Sequence, residues 1–231
     1  MLTLFYKVLF MDSQHPPLET LQDIKRMMEQ SSRFISLSGW SGISAGVCAL
    51  LGATAAQLRI VSYLQALRGD HTYESYYRGD TNSLSASAAA LYNDLFLIAG
   101  ITFIAAFISS FLFTRARSRR NGTSMWDRTV QRLAWNTVLP MMVGGFVILR
   151  LVESGFYGLV APCCLIFYGL ALVNASKYTL GEIRYLGYGQ LILGIINLWT
   201  GGWGLYFWAA GFGILHIVYG AFMWWKYERQ A

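Results

Sequence analysis

Four ionisable residues fall inside or at the edge of long apolar runs: Asp94, Arg150, Glu153 and His216. A charge beside hydrocarbon is costly unless it is paired or hydrated, so such groups are the first candidates for function. Arg150 and Glu153 lie one helical turn apart, a spacing that permits an i,i+3 contact. They read as a functional intramembrane pair or, more plainly, as an interfacial ion pair anchoring a helix end. His216 is the single histidine within an apolar run, and imidazole titrates near neutral pH. Tyr188, Gln190, Asn197 and Tyr219 offer polar partners on the last two runs. That set suits a proton relay or a ligand site, and equally a structural hydrogen bond between helices. Asp94 opens another run within reach of Arg59 or Arg150, either lining a vestibule or serving as a helix-start carboxylate favoured by the dipole.

The remaining reactive residues exclude more than they suggest. Cys163 and Cys164 follow Pro162, and adjacent cysteines on a helix point in different directions, which defeats chelation. Their spacing matches neither a zinc site nor a redox CxxC pair, and with Cys48 they read as small hydrophobes. The chain has no Walker A, HExxH or GxSxG sequence, and a lone intramembrane histidine gives no axial pair for haem. No catalytic, cofactor-binding or metal-ligating set is therefore assigned, and no cofactor is expected. The basic run Arg115, Arg117, Arg119 and Arg120 resembles a nucleic-acid patch by charge alone. Because it flanks two apolar runs, anionic lipid headgroups are the expected partner, and nucleic acid is not.

The elements that must position these groups are membrane helices. Hydrophobic residues make up 55% of the 231 and charged residues 13%, about half the charge of an ordinary soluble domain. Mean hydropathy is +0.41. The apolar residues come in long runs rather than with core-like periodicity, which predicts an all-α polytopic membrane bundle. Six spans are expected, near residues 34–57, 91–113, 133–152, 158–175, 186–199 and 204–225, the fifth being short. A polar outer loop at 58–90 and a basic cytoplasmic loop at 114–132 separate the first three, and 226–231 forms a cytoplasmic tail. The N-terminal segment 1–33 carries Leu18, Leu21, Ile24, Met27 and Met28 at helical spacing, an amphipathic helix expected to lie on the cytoplasmic face. Its start is open between Met1 and Met11. The first span bears Ser38, Gly39, Ser41, Gly42 and Gly46 and predicts a close helix contact, within the chain or with a second copy or a membrane complex.

With this topology 14 of the 18 Lys and Arg residues fall on one side, which the positive-inside rule makes cytoplasmic, along with both termini. A five-span alternative puts the basic C-terminus on the wrong side.

Two stretches, Arg33–Gly46 and Gly181–Gly187 with the glycine- and tryptophan-rich region after it, resemble a family of uncharacterised multi-pass bacterial membrane proteins. The resemblance runs from about Ser31 onward. It implies the bacterial inner membrane and brings no activity or site residues. The leading functional expectation is small-solute or ion transport, or an accessory subunit of a membrane complex. The alternatives are a non-catalytic scaffold or sensor, and a lipid- or quinone-acting enzyme using Arg150, Glu153 and His216. Transport expects Arg150, Glu153, Asp94 and His216 to meet in one hydrated cavity.

Overall fold

The computed structural model describes residues 38–68, 81–120 and 127–229, which hold six helices and no strand. They are α1 (Gly39–Arg68), α2 (Thr81–Arg120), α3 (Arg128–Glu153), α4 (Val160–Ala175), α5 (Ile183–Trp199) and α6 (Gly204–Tyr227). A 3₁₀ turn, Tyr157–Leu159, leads into α4, and α6 contains a π-helical segment, Ala209–Leu215. Five helices are long and apolar enough to cross a membrane: α1, α2, α3, α4 with its 3₁₀ turn, and α6. The fifth, α5, has 17 residues. At about 1.5 Å per residue it reaches about 25 Å, short of a hydrocarbon core of about 30 Å. The amphipathic helix expected before α1 lies outside the described residues.

Two helices outrun their apolar sequence. The segment read as a polar loop at 58–90 is helical up to Arg68 and again from Thr81, and α2 continues through the basic run to Arg120. Ala, Arg and Leu are frequent in these extensions, and such residues sustain a helix once its hydrogen-bond ladder is running. Loss of hydropathy marks where lipid ends, not where the helix ends. Asp127 starts α3 by accepting a hydrogen bond from the Arg128 amide at 2.7 Å. Pro162 sits in the first turn of α4, where its missing N–H costs no ladder bond.

Close helix contacts run through glycine. A Cβ on Gly220 would lie 2.6 Å from both the Gly39 carbonyl oxygen and the Ile43 nitrogen, and one on Gly46 2.6 Å from the Gly213 carbonyl. Thus α1 and α6 meet backbone to backbone, antiparallel. The same holds for α4 and α5, where a Cβ on Gly169 or Gly187 would approach the other's carbonyl to 2.9 Å. In addition α1 packs along α2, and α3 along α4. The small-residue face expected on the first span is therefore used, and α6 occupies it.

This order brings two ends together. The basic end holds the start of α1, the finish of α2 and α6, and the start of α5. The opposite end holds the tight turns at Gly155 and Gly202, whose φ values of +79° and +84° favour a residue without a Cβ.

Candidate functional site

Among the buried polar side chains of the apolar helices are Gln190 and Asn197 on α5 and His216 on α6. The chain of causes begins in the π segment of α6. A π turn widens the ladder, frees backbone carbonyls and recurs at functional sites. Here the Gly211 carbonyl accepts hydrogen bonds from Gln190 Nε2 at 2.8 Å and His216 Nδ1 at 3.0 Å. A carbonyl can only accept, so Nδ1 carries the proton and Nε2 is the acceptor in the neutral ring. Tyr168 on α4 supplies the matching donor, its hydroxyl lying 2.9 Å from Nε2. His216 is 6% exposed and Gln190 fully buried. Phe212 completes the surroundings, its ring centroid 5.1 Å from Tyr168 and 6.0 Å from His216.

Beside this cluster lies a cavity of about 160 Å³, lined by Ser41, Ser110, Tyr168, His216, Tyr219 and Met223 among others. Two of its hydroxyls are committed: Ser41 donates to the Ser38 carbonyl at 2.5 Å and Ser110 to the Ser41 carbonyl at 3.0 Å. The buried Tyr219 hydroxyl has no hydrogen-bond partner among the described residues, nor has Gln190 Oε1 or Asn197 Nδ2. Ser38 also lines a larger cavity, of about 750 Å³, at the basic end with Trp40, Arg117, Arg120, Trp224 and Glu228.

That end is fastened by the last residues of α6 and those just beyond it. Glu228 accepts hydrogen bonds from the Gly39 amide at 2.5 Å and the Ser38 hydroxyl at 3.1 Å, and pairs with Arg117. Lys226 and Tyr227 donate to Glu182 at 2.5 and 2.6 Å. Burial pulls the Glu182 carboxyl up, but the hydrogen bonds from Lys226 and Tyr227 outweigh it and hold the group below its ordinary value.

The residues singled out in the sequence divide among separate places. Arg150 and Glu153 pair at 3.2 Å and are both exposed, at the opposite end of α3. Asp94 pairs with Arg59 across α2 and α1. Neither pair is joined to His216, which sits mid-helix in the interior. Of the basic run, Arg115, Arg119 and Arg120 are exposed, while Arg117 is half-buried against Glu228.

Among the expected partners of His216, Gln190 reaches it through the shared Gly211 carbonyl and Tyr219 faces the cavity beside it. Tyr188 is exposed instead, and Asn197 Oδ1 accepts from Thr200 at 3.4 Å. Tyr168 was not read from sequence. Its one signal is position: it lies in mid-run, away from the interfacial belt where a membrane tyrosine usually sits. Cys48, Cys163 and Cys164 are free thiols, and no group of metal-ligating side chains occurs among the described residues.

No family model, curated protein or solved structure matches the chain.

Proposed function

We propose that the chain is a six-span integral protein of the bacterial inner membrane that holds a small solute in the cavity beside Tyr168 and His216. In this reading it acts as a transporter or as the accessory subunit of a membrane complex. One observation carries it: a half-open cavity among apolar side chains of α1, α4, α5 and α6, with the hydrogen-bonded Tyr168–His216 pair in its wall. A concave site with a mostly apolar wall and a few fixed polar groups suits a small ligand or ordered water.

The sixth span is α5. It packs along α4 from end to end, and its 17 residues suffice for a crossing shielded by neighbours and flanked by Tyr185 and Trp199, both exposed. Both termini face the cytoplasm by the distribution of Lys and Arg. Arg115, Arg119 and Arg120 then meet anionic lipid headgroups. A partner chain would bind elsewhere than the small-residue face of α1, because α6 covers it.

The separation of the Arg150–Glu153 and Arg59–Asp94 pairs from His216 favours a second reading, a non-catalytic scaffold or sensor. Osmotic swelling of proteoliposomes in a panel of small neutral solutes separates the two. Transport expects faster swelling for at least one solute, abolished by Ala45→Phe, which fills the cavity. Swelling equal to that of empty liposomes for every solute, with the protein folded, rejects transport and leaves the scaffold.

A further inference from the structure

We propose that the groove at the basic end, between α1, α2 and α6, seats one anionic phospholipid, with Arg120 on its phosphate and Trp40 and Trp224 beside its glycerol and upper chains. This rests on the reading of that end as a membrane interface, and it is independent of whether the inner cavity holds a solute.

The charge comes first. The groove is the cavity of about 750 Å³ lined by Ser38, Trp40, Arg117, Arg120, Trp224 and Glu228 among others. Arg117 is committed to Glu228, whereas Arg120 has no ion pair among the described residues. The groove therefore carries one unmatched positive charge. It is a guanidinium, whose fork fits two phosphate oxygens at once. Register then selects among the arginines. Phe113, Ala116, Arg117 and Arg120 recur at three and four residues along α2 and line the groove together. Arg115 and Arg119 are exposed on the other side of the helix. A diffuse attraction to the membrane draws on all of them alike, but the groove draws on Arg120 alone. The wall, finally, is amphipathic. Trp40 and Trp224 meet edge to face with centroids 6.3 Å apart, and both are exposed. Indoles at headgroup level are interfacial anchors. Phe113, also exposed, lies two turns before Arg120, about 10 Å towards the apolar part of α2. A phospholipid matches charge at one end and aromatic hydrocarbon at the other, whereas a free anion leaves the aromatic wall bare.

The test uses the full-length protein in a neutral detergent, titrated with phosphatidylglycerol, phosphatidylethanolamine or phosphatidylcholine, with bound lipids counted by native mass spectrometry. One phosphatidylglycerol is expected to bind about tenfold more tightly than either zwitterionic lipid. Arg120→Gln should erase that preference, while Arg115→Gln, the same charge change on the other face, should alter it by less than about twofold. Ala116→Trp, which fills the groove and keeps every charge, should release the lipid. All three positions are exposed, so the fold tolerates the changes. Equal losses from Arg120→Gln and Arg115→Gln overturn the discrete site in favour of diffuse attraction. Unchanged binding in Ala116→Trp overturns the groove as its place. Phosphatidylethanolamine bound as tightly as phosphatidylglycerol overturns the anionic class, and displacement by an equal concentration of inorganic phosphate overturns the lipid. Sidedness and solute swelling play no part in this readout, so its failure is distinct from failure of the six-span transport reading.

Discussion

The two outer helices and the inner seam solve the same problem in opposite ways. In α2 and α3 only 6% of the most apolar stretch is buried, against 33% in α4. Phe103, Phe107 and Phe146 face outward, as lipid contact requires. On α3 polar side chains fold back on their own helix, Asn136 donating to the Arg132 carbonyl and Thr137 to the Leu133 carbonyl, both at 2.8 Å. On α2, by contrast, Ser110 and Arg117 reach across to Ser41 and Glu228. In the seam of α4, α5 and α6 the polar groups reach across, from Gln190 to Gly211 and from Tyr168 to His216. The outward faces of α2 and α3 therefore need only apolarity, while the seam needs particular partners at particular depths.

The sharpest way to break the contrast is a single methyl group. Gly220→Ala forces the α1 and α6 backbones apart and should cost about 2–3 kcal/mol or prevent folding. Gly145→Ala on α3, where a Cβ meets nothing within 4 Å, should change stability by less than about 0.5 kcal/mol. Thermal melting in detergent compares the two.

A smaller loss is expected from His216→Ala, which strands the Tyr168 hydroxyl in the interior. It should destabilise by about 1–2 kcal/mol, and Tyr168→Phe in that background should recover part of the loss.

Acid titrates the fastening at the basic end. Glu182 is held below its ordinary value in the folded chain. Its contribution is therefore complete above the ordinary carboxyl range and disappears as pH falls through the depressed folded value. Between about pH 6 and pH 3 the melting temperature of wild type should fall more steeply than that of Glu182→Gln. Equal slopes would remove Glu182 from the account.

The smallest effect belongs to the opposite end. Arg150→Gln breaks an exposed i,i+3 pair and should cost under about 0.5 kcal/mol, with solute binding unchanged. A loss of binding would return Arg150 to the site.

Much of this architecture is written in residue type. Runs of Leu, Ile, Phe and Ala mark the long helices, and Ser38, Gly39, Gly42 and Gly46 mark a face that must be approached closely. The interior position of His216 is equally plain. What local pattern does not carry is pairing across helices. Tyr168 looks like any apolar-run tyrosine until α4 and α6 are laid side by side, parallel, with Leu165 against Gly211. The π segment is also silent, because Ala209–Leu215 has the composition of any membrane helix and its widened turn answers to packing. Asp94 and Arg150 stand out by charge, yet each pairs on an exposed surface apart from the seam, Arg150 at the end of α3 and Asp94 with Arg59 between α2 and α1.

On the six-span proposal α5 crosses the membrane, and Gln190 and His216 meet in its interior. Gly181 and Gly201 flank α5, and both have open space where a Cβ would stand. In a background with Cys48, Cys163 and Cys164 replaced, Gly181→Cys and Gly201→Cys are each exposed to a membrane-impermeant maleimide in right-side-out and inverted vesicles. The account expects Cys at 201 to label only in right-side-out vesicles and Cys at 181 only in inverted ones. Labelling of both from the same side would contradict it, because α5 would then not span and the seam would not lie within the bilayer.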